Sequence, residues 1–365
     1  MNILLLIHRL WNGGGTETHV LALATELRRM GHAVGVFTAG GAWLPLFRQY
    51  GIPIYTDPAY PDQATVLRRV VEKHGYQILH AHDAESFRLV RRLWGRGALP
   101  AVFTVHGRYV DPRTLNICAT AANAVVAVSP AIRDYVASCG VPLHKIHYIE
   151  NGVPTRVFHP GHGSTLRKRL HIPDDGFVVG YAGRFTGDKL NLSRRIGALL
   201  SRYSASHRHT YAIIAGRHSR AQQKPGNRCM VLGARSDMAN FYRACDVVIG
   251  TGRVALEAMA CGVPTIAGGY ARYIGRVTPE NIESMYRTNF GDHDAHRQSW
   301  HQTLVMRDLE AVRRDRPAVR RDARVLAGVV RERFSAERMA RRLVRLYAEQ
   351  LAPGRGRNPR RSGAV

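Results

Sequence analysis

The stretch that decides the fold is Met1–Thr38, MNILLLIHRLWNGGGTETHVLALATELRRMGHAVGVFT. The apolar run Asn2–His8 is typical of a buried strand, and a glycine-rich loop follows it. Apolar residues then recur at helical spacing up to Gly31, which favours a helix C-terminus there. A second apolar run, Ala33–Thr38, predicts the next strand. Strand, glycine-rich loop, helix and strand in this order predict a βαβ unit.

The same alternation continues along the chain. Further strands of the first half are predicted at Gln77–Ala81, Ala101–His106 and Ala124–Val128. Ser129 and Pro130 then favour a helix start, with serine as the N-cap and proline in the first turn. Continuously apolar strands that alternate with helices indicate a parallel sheet covered on both faces.

A chain of 365 residues exceeds the usual size of one domain, about 150 residues. We interpret 151–169, rich in glycine, proline and basic residues, as the linker to a second alternating series. The strands predicted for that series are Phe177–Ala182, Tyr211–Ala215, Met230–Leu232, Asp246–Ile249 and Val263–Ala267. We therefore predict two doubly wound α/β domains that face a cleft, with ligands at the carboxyl ends of their strands.

The predicted domain boundaries follow from this reading. They are 1–155 for the first domain, 156–334 for the second, 335–352 for a C-terminal helix and 353–365 for a disordered basic tail. Helical patterning begins near Gln298, and Met339, Leu343, Leu346 and Tyr347 share one side of the last helix.

The composition excludes several classes of protein. Hydrophobic residues make 45% and charged residues 22%, which argues against a disordered, collagen-like or disulfide-stapled chain. The five cysteines are odd in number and form no C-x-x-C pair, so a reduced, cytoplasmic compartment is expected. No apolar run reaches the ~18 residues of a membrane span, and the N-terminus lacks the basic start of a signal peptide.

The net charge is +26, and only five of the 53 basic residues are lysine. Arginine spread along a chain can reflect codon bias or an anionic partner, whereas a dedicated nucleic-acid binder more often clusters both residue types. Residues 306–361 carry 17 arginines. Peripheral contact with an anionic membrane is therefore a possible partner interaction, and nucleic acid is the less favoured one.

Three glycine-rich loops follow predicted strands, where backbone amides and a helix N-terminus can bind an anion. Gly13–Glu17 suits this role, although a tight turn explains it equally simply. In the second loop, Arg184 and Lys189 can converge on one diphosphate, or they can be two solvated basic residues. In the third, amides from Gly252 onward face a phosphate-sized site, and Glu257 either binds ribose hydroxyls or is a satisfied helix charge.

Histidines mark the ends of two predicted strands. His106 ends an apolar strand and is expected to face the cleft, while His80 and His82 lie two residues apart. Such a pair can suggest a metal, but the sequence shows no third ligand, so no metal site is predicted.

Together these motifs resemble the retaining glycosyltransferases of family 4, which have the two-domain GT-B fold. The residues that carry the resemblance are Gly14–Val20, His106-Gly107, Val128-Ser129, Asn151–Val153, Gly183-Arg184 with Lys189, and Leu256–Pro264. The resemblance implies a nucleotide-diphosphate sugar as co-substrate, no cofactor, no metal and no protein nucleophile. It also implies closure of the two domains around the donor.

The resemblance implies a role for each matching residue. Arg184 and Lys189 would hold the diphosphate and stabilise the leaving group, and His106 would contact the transferred sugar. The remaining donor-binding residues would be Gly14 and Gly15 near the diphosphate, Gly233 near the base, Glu257 at the ribose, and Gly252 with Arg253 at the start of its helix.

The sequence departs from the family at one conspicuous position. Family members usually carry a second glutamate eight positions before the residue that corresponds to Glu257, and Ile249 stands there in this chain. The connection is also short, so Thr251 and Arg253 are candidates to substitute. Gly268–Gly275 replaces the usual Gly-Gly-x-x-Glu stretch, which indicates a divergent subgroup.

The predicted function is transfer of a hexose-type sugar to a hydroxyl acceptor, a glycan or a lipid-linked one, in cell-surface polysaccharide or glycolipid synthesis. The predicted location is the cytoplasm or the inner face of the membrane. A catalytically silent donor-binding protein, a nucleotide-sugar epimerase and a nucleic-acid binder are the alternatives. An NAD enzyme is disfavoured because no G-x-G-x-x-G follows the first strand.

Overall fold

The computed structural model describes residues 1–11, 14–56, 62–94, 99–185, 187–216, 228–269, 271–296, 298 and 300–352. The chain divides into two compact units, Met1–Gly152 with Ala336–Val365, and Val153–Ser335. The predicted boundaries after residues 155 and 334 lie within three residues of these divisions. The predicted tail, 353–365, lies outside the described residues.

The first unit is built on a parallel sheet, as predicted. Its strands and helices are β1 (Asn2–Leu6), α1 (Gly15–Arg29), β2 (Ala33–Phe37), α2 (Leu44–Gln49), β3 (Ile54–Tyr55), α3 (Gln63–His74), β4 (Ile78–Ala81), α4 (Ala84–Trp94), β5 (Ala101–Val105), α5 (Pro112–Ala121), β6 (Ala124–Ala127), α6 (Pro130–Ser138), β7 (Ile146–Tyr148) and, from the end of the chain, α14 (Ala336–Leu351). The sheet order is β3-β2-β1-β4-β5-β6-β7, and every pairing between these strands is parallel. The predicted cap of α6 is confirmed, because the Ser129 hydroxyl accepts a hydrogen bond from the Ile132 amide.

The second unit repeats the architecture. Its strands and helices are α7 (Ser164–Arg169), β8 (Phe177–Ala182), α8 (Leu190–Ser206), β9 (Thr210–Ala215), β10 (Cys229–Gly233), α9 (Met238–Arg243), β11 (Val247–Gly250), α10 (Gly252–Ala260), β12 (Thr265–Gly268), β13 (Tyr273–Arg276), α11 (Ile282–Tyr286), α12 (Gln302–Arg314) and α13 (Arg316–Arg333). The sheet order is β10-β9-β8-β11-β12-β13, with β13 antiparallel at the edge.

Each sheet has one point at which the strand order reverses. In the first unit this point lies between β1 and β4, and in the second between β8 and β11. Ligands of doubly wound folds bind outside the carboxyl ends of the strands at such a point. The fold therefore directs attention to the loops after β1, β4, β8 and β11.

The sequence interpretation of 151–169 as a linker is wrong at its C-terminal end. Residues Ser164–Arg169 form α7, in which Leu166 is buried and packs in one apolar cluster with Leu170 and Tyr242. The spacing of four between the two leucines is a helical signal that the surrounding basic residues obscure. The short edge strands β3, β7 and β13 were also not predicted, because two to four residues show little periodicity.

The last helix completes the core of the first unit. Met339, Leu343 and Leu346 are buried against Leu23 and Leu27 of α1. The buried hydroxyl of Tyr347 lies 2.6 Å from Nδ1 of His80, a fully buried residue of β4. Helix α14 thus joins the first unit both by apolar burial and by a hydrogen bond to the central sheet.

Replacing Tyr347 by phenylalanine tests this bond. Tyr347→Phe leaves Nδ1 of the buried His80 without its partner, so we expect a loss of about 1–3 kcal/mol in the free energy of unfolding. Urea denaturation followed by circular dichroism measures it. Tyr203→Phe is the matched control, since the Tyr203 hydroxyl bonds Glu310, whose carboxylate is 39% exposed and can turn to water. An equal loss in both variants would contradict the argument.

Candidate functional site

Three histidines converge at the carboxyl edge of the first sheet. Nε2 of His106, after β5, lies 3.2 Å from Nδ1 of His82, after β4. The ring of His19, on α1, stands edge-on to that of His106 with centroids 4.6 Å apart. One nitrogen of each ring lies within 4.8 Å of the others, and among the described residues this is the one His/Cys/Asp/Glu group close enough to hold a metal ion. The third histidine that the sequence did not show is therefore His19.

The environment of the cluster disfavours a charge on His82. Burial lowers the pKa of His82 well below its usual value, and the neighbouring histidines lower it further. The Asn151 amide oxygen lies 3.1 Å from Nδ1 of His19, which fixes that nitrogen as the proton donor. Nε2 of His82 is buried and has no hydrogen-bond partner among the described residues.

His80 has a structural role. Its Nε2 lies 2.6 Å from the Thr104 hydroxyl, and its Nδ1 bonds Tyr347. Burial lowers its pKa well below the usual value. Both ring nitrogens are thus engaged inside the core, and the pair of His80 and His82 that the sequence suggested is not the cluster that forms.

The first glycine-rich loop is partly described, since Asn12 and Gly13 lie outside the described residues. Gly14 precedes α1, and a Cβ there would lie 2.4 Å from a carboxylate oxygen of Glu17. Gly15 begins the helix and has open space around its α-carbon. Glycine at 14 therefore makes room for Glu17, while Gly15 leaves the helix start approachable.

In the second unit, Lys189 lies in the loop after β8 and bonds a carboxylate. Its ammonium group is 2.7 Å and 2.9 Å from the two oxygens of Asp292. Both side chains are about one-fifth exposed, Lys189 at 19% and Asp292 at 22%. Arg184 lies in the same loop with an exposed side chain, and its carbonyl accepts from the Ser193 hydroxyl. Solvent can therefore reach both cations predicted to hold a diphosphate.

A left-handed turn packs against the start of α10. Asn289, Phe290 and Gly291 all have positive φ, at 51°, 58° and 88°. The Gly252 amide donates to the Asn289 carbonyl at 3.3 Å, and the Thr251 hydroxyl donates to the Phe290 carbonyl at 2.9 Å. Gly252 itself has φ of 53°, a conformation that favours glycine.

The same turn continues into Asp292, the partner of Lys189. A single turn therefore contacts both the lysine after β8, through Asp292, and the start of α10, through Asn289 and Phe290. This places the predicted cation and the predicted helix N-terminus at one end of the second sheet, at its switch point.

Glu257 is buried on α10 and has two partners. Oε1 accepts from Arg253 at 3.1 Å, and Oε2 accepts from the Tyr242 hydroxyl at 3.0 Å. Burial raises the pKa of Glu257, and the Arg253 guanidinium opposes that rise. Burial and the adjacent carboxylate raise the pKa of Tyr242, so its hydroxyl stays protonated and donates. Arg253, predicted as a donor-binding residue, contacts Glu257.

Two further positions considered in the sequence, Gly233 and Ile249, lie on strands of the second sheet. Gly233 ends β10 with φ of 73°, and its carbonyl accepts from the Gly216 amide. Ile249 is fully buried in β11, opposite Tyr181 and Ile266 on the neighbouring strands. A side chain at 249 therefore belongs to the core and cannot reach the loop that follows β11.

Several residues of the site were missed as functional candidates. His19 and Asn151 stand in motifs that were recognised, yet only the fold brings their side chains together. No local sequence pattern indicates Asp292 or Tyr242, because their partners, Lys189 and Glu257, lie 103 and 15 residues away in the sequence.

Two family models match the chain. Residues 13–157 match the model described as Glycosyltransferase Family 4, and residues 164–287 match Glycosyl transferases group 1. The matched segments cover the loop before α1, the three histidines, and the loops of Lys189 and α10.

Relatives and solved structures agree with this assignment. D-inositol 3-phosphate glycosyltransferase of Saccharomonospora viridis is 27% identical over 94% of this chain and 91% of its own length. A glycosyltransferase from Rickettsia africae superposes with a TM-score of 0.74 at 20% identity, covering 97% of this chain and 99% of that one. Anabaena Alr3699/HepE in complex with UDP-glucose gives 0.73 at 20% identity, covering 96% and 100%.

The fold, the loops at both switch points and the two matched families lead to one conclusion. The chain belongs to the glycosyltransferases of the family 4 type, and its fold is GT-B.

Proposed function

We propose that the protein is a retaining, metal-independent glycosyltransferase that moves a hexose-type sugar from a nucleotide-diphosphate sugar to a hydroxyl acceptor. The observation that carries the proposal is the turn 289–292, which contacts Lys189 and the first turn of α10 together. A cation and a helix N-terminus at one strand edge suit a diphosphate. UDP-glucose in the Anabaena structure supports a donor of this class.

The chemical demand of the reaction is stabilisation of the departing diphosphate. Lys189 and Arg184 supply positive charge, and the dipole of α10 favours negative charge near its N-terminus, where the Gly252 amide donates to the Asn289 carbonyl. Such groups act on charge that develops as the bond to the anomeric carbon breaks. The leaving phosphate accepts the acceptor proton on the same face of the sugar, so a protein nucleophile is not needed.

The histidines of the first unit suit hydroxyl groups. His106 is the proposed contact of the transferred sugar, held by its 3.2 Å bond to His82. Neutral imidazoles donate from one nitrogen and accept at the other, which matches a hydroxyl that does both. Gly15 has open space beside it for a ligand, Gly14 next to it remains a proposed contact of the diphosphate, and Gly233 and Glu257 remain the proposed contacts of base and ribose.

Metal independence rests on the chemistry of the donor set. A divalent ion that bridges two phosphates prefers carboxylate and water oxygens. Among the described residues, the one group close enough to hold a metal consists of three imidazoles and no carboxylate. We therefore assign the phosphate charge to Lys189 and Arg184.

The proposed acceptor is a glycan or a lipid-linked hydroxyl in cell-surface polysaccharide or glycolipid synthesis, at the inner face of the membrane. The net charge of +26 favours an anionic acceptor or surface. The names of several relatives favour a second acceptor, D-inositol 3-phosphate, an anionic polyol. No described helix is long and apolar enough to cross a membrane. The contact we propose is a peripheral one.

Release of nucleotide from a panel of UDP-, GDP- and ADP-sugars tests the function. Purified protein is incubated with each donor alone, with membrane extract, and with D-inositol 3-phosphate. We expect release from one donor, faster with an acceptor. Tight donor binding without any release would instead establish the silent-binding alternative, and conversion of the donor to another sugar nucleotide would indicate an epimerase.

Removal of the lysine ammonium should slow the reaction more than it weakens binding. Lys189→Ala is expected to lower kcat by about 10²–10³, or about 3–4 kcal/mol, the scale of one lost oxyanion donor. Lys168→Ala, an exposed lysine of the same unit, is the control and should leave kcat unchanged. Full turnover in Lys189→Ala would disprove the assigned role.

Contact with an anionic membrane predicts that vesicle binding depends on the exposed arginines of the protein. Arg321 and Arg324 are exposed on α13 beside Val325, which is 53% exposed. Replacing both arginines by glutamate should weaken binding to phosphatidylserine vesicles, by about 1 kcal/mol for each positive charge lost near the surface. Vesicle co-sedimentation at low and high salt measures this. The charge-matched control replaces the exposed Arg68 and Arg113 of the first unit by glutamate.

A further inference from the structure

The connection between β11 and α10 offers no carboxylate to a donor sugar. Gly250 ends β11, Thr251 follows, and Gly252 begins α10. Ile249 is buried in the core, and the carboxylate of Glu257 already accepts from Arg253 and Tyr242. A transferred hexose nevertheless carries several hydroxyls that an enzyme must recognise by hydrogen bonds.

Asp292 is a carboxylate that lies beside Lys189, one of the proposed phosphate-binding groups. Its oxygens are 2.7 Å and 2.9 Å from the ammonium group of Lys189, and 22% of its side chain is exposed. In a nucleotide-diphosphate sugar the hexose is bonded directly to the terminal phosphate. A group in contact with the lysine that holds this phosphate is therefore within reach of hydroxyls on the attached ring.

The backbone fixes Asp292 in this place. Its amide donates to the Thr288 carbonyl at 3.1 Å, and the preceding turn is held by Gly252 and Thr251. Non-glycine residues rarely adopt the left-handed conformation, yet Asn289 and Phe290 both do so. Unusual backbone conformations of this kind cluster at functional sites.

We propose that Asp292 is a recognition residue for the transferred sugar, whose hydroxyls donate hydrogen bonds to its carboxylate. This inference rests on the proposed function, since it presumes that Lys189 holds the donor phosphate. Asp292 can keep its bond to Lys189 meanwhile. An ammonium group has three N–H donors, of which Asp292 takes at most two, and each carboxylate oxygen has a second lone pair.

A sugar contact and a merely structural role of Asp292 predict different effects on two binding affinities. A nucleoside diphosphate contains the phosphates and no hexose, whereas its sugar conjugate contains both. Loss of a sugar contact should therefore weaken binding of UDP-glucose and leave binding of UDP intact.

The test is calorimetric titration of the full chain with UDP, GDP and ADP and with their glucose conjugates. Asp292→Ala removes the acceptor, and Asp292→Asn keeps the shape and loses the charge. We expect both variants to bind the nucleoside diphosphate at least as tightly as the wild type. We expect Asp292→Ala to bind the sugar conjugate about tenfold or more weakly, the scale of a lost hydrogen bond to a charged group.

The control is Asp294→Asn, which removes an aspartate from the same segment. Asp294 pairs with Arg272 at 3.3 Å and accepts a hydrogen bond from the backbone amide of His296. It does not contact Lys189. It should leave both affinities unchanged, and thermal melting of all variants checks that they fold.

Three results would overturn the inference. Equal weakening of diphosphate and sugar conjugate would make Asp292 only a positioning residue for Lys189. Tighter binding of the sugar conjugate by the variants, with faster release of nucleotide, would show that the turn obstructs the donor. Unchanged affinities for both ligands would show that Asp292 has no role in donor binding. If the wild type binds none of the nucleotides, the proposed function itself fails and the inference falls with it.

Discussion

Burial of every central strand on both faces is the constraint on which the molecule depends. Strands such as β1, β5 and β8 carry almost only apolar side chains, because helices cover both sides of each sheet. Reactive groups must therefore lie where strands end. His82 and His106 follow β4 and β5, and Arg184 and Lys189 follow β8, so chemistry is confined to the carboxyl edges.

Part of the arginine content serves ion pairs within the protein. Asp246 accepts from Arg167 at 2.8 Å and from Arg320 at 2.9 Å, which ties α7 and α13 to the strand β11. Arg342 of α14 pairs with Glu150 and also donates to the Tyr148 carbonyl. Arginine suits such places because its planar fork can bind two acceptors at once. Only some of the arginines behind the net charge of +26 are therefore available to attract anions.

Much of the fold could be predicted because its signals are local. The strands from β1 to β12, except short β3 and β7, show as apolar runs, and the caps of helices such as α6 are read from adjacent residues. The site could be predicted only as far as its loops. The partners of His19 and Lys189, and the Tyr242 hydroxyl that bonds Glu257, are set by packing between distant elements and cannot be inferred from sequence spacing.

Ile249 illustrates how the core limits which side chain a strand position can hold. A carboxylate at 249 would replace a fully buried side chain between Tyr181 and Ile266, at a cost of several kcal/mol for an unpaired charge. The turn 289–292 instead bonds the start of α10. Holding two non-glycine residues in the left-handed region costs roughly 1–2 kcal/mol each. The two hydrogen bonds to Gly252 and Thr251 offset part of that cost, and the result is a carboxylate fixed against Lys189. Under the role proposed for Asp292, this carboxylate serves the sugar because a ligand depends on where a carboxylate lies and not on its place in the sequence.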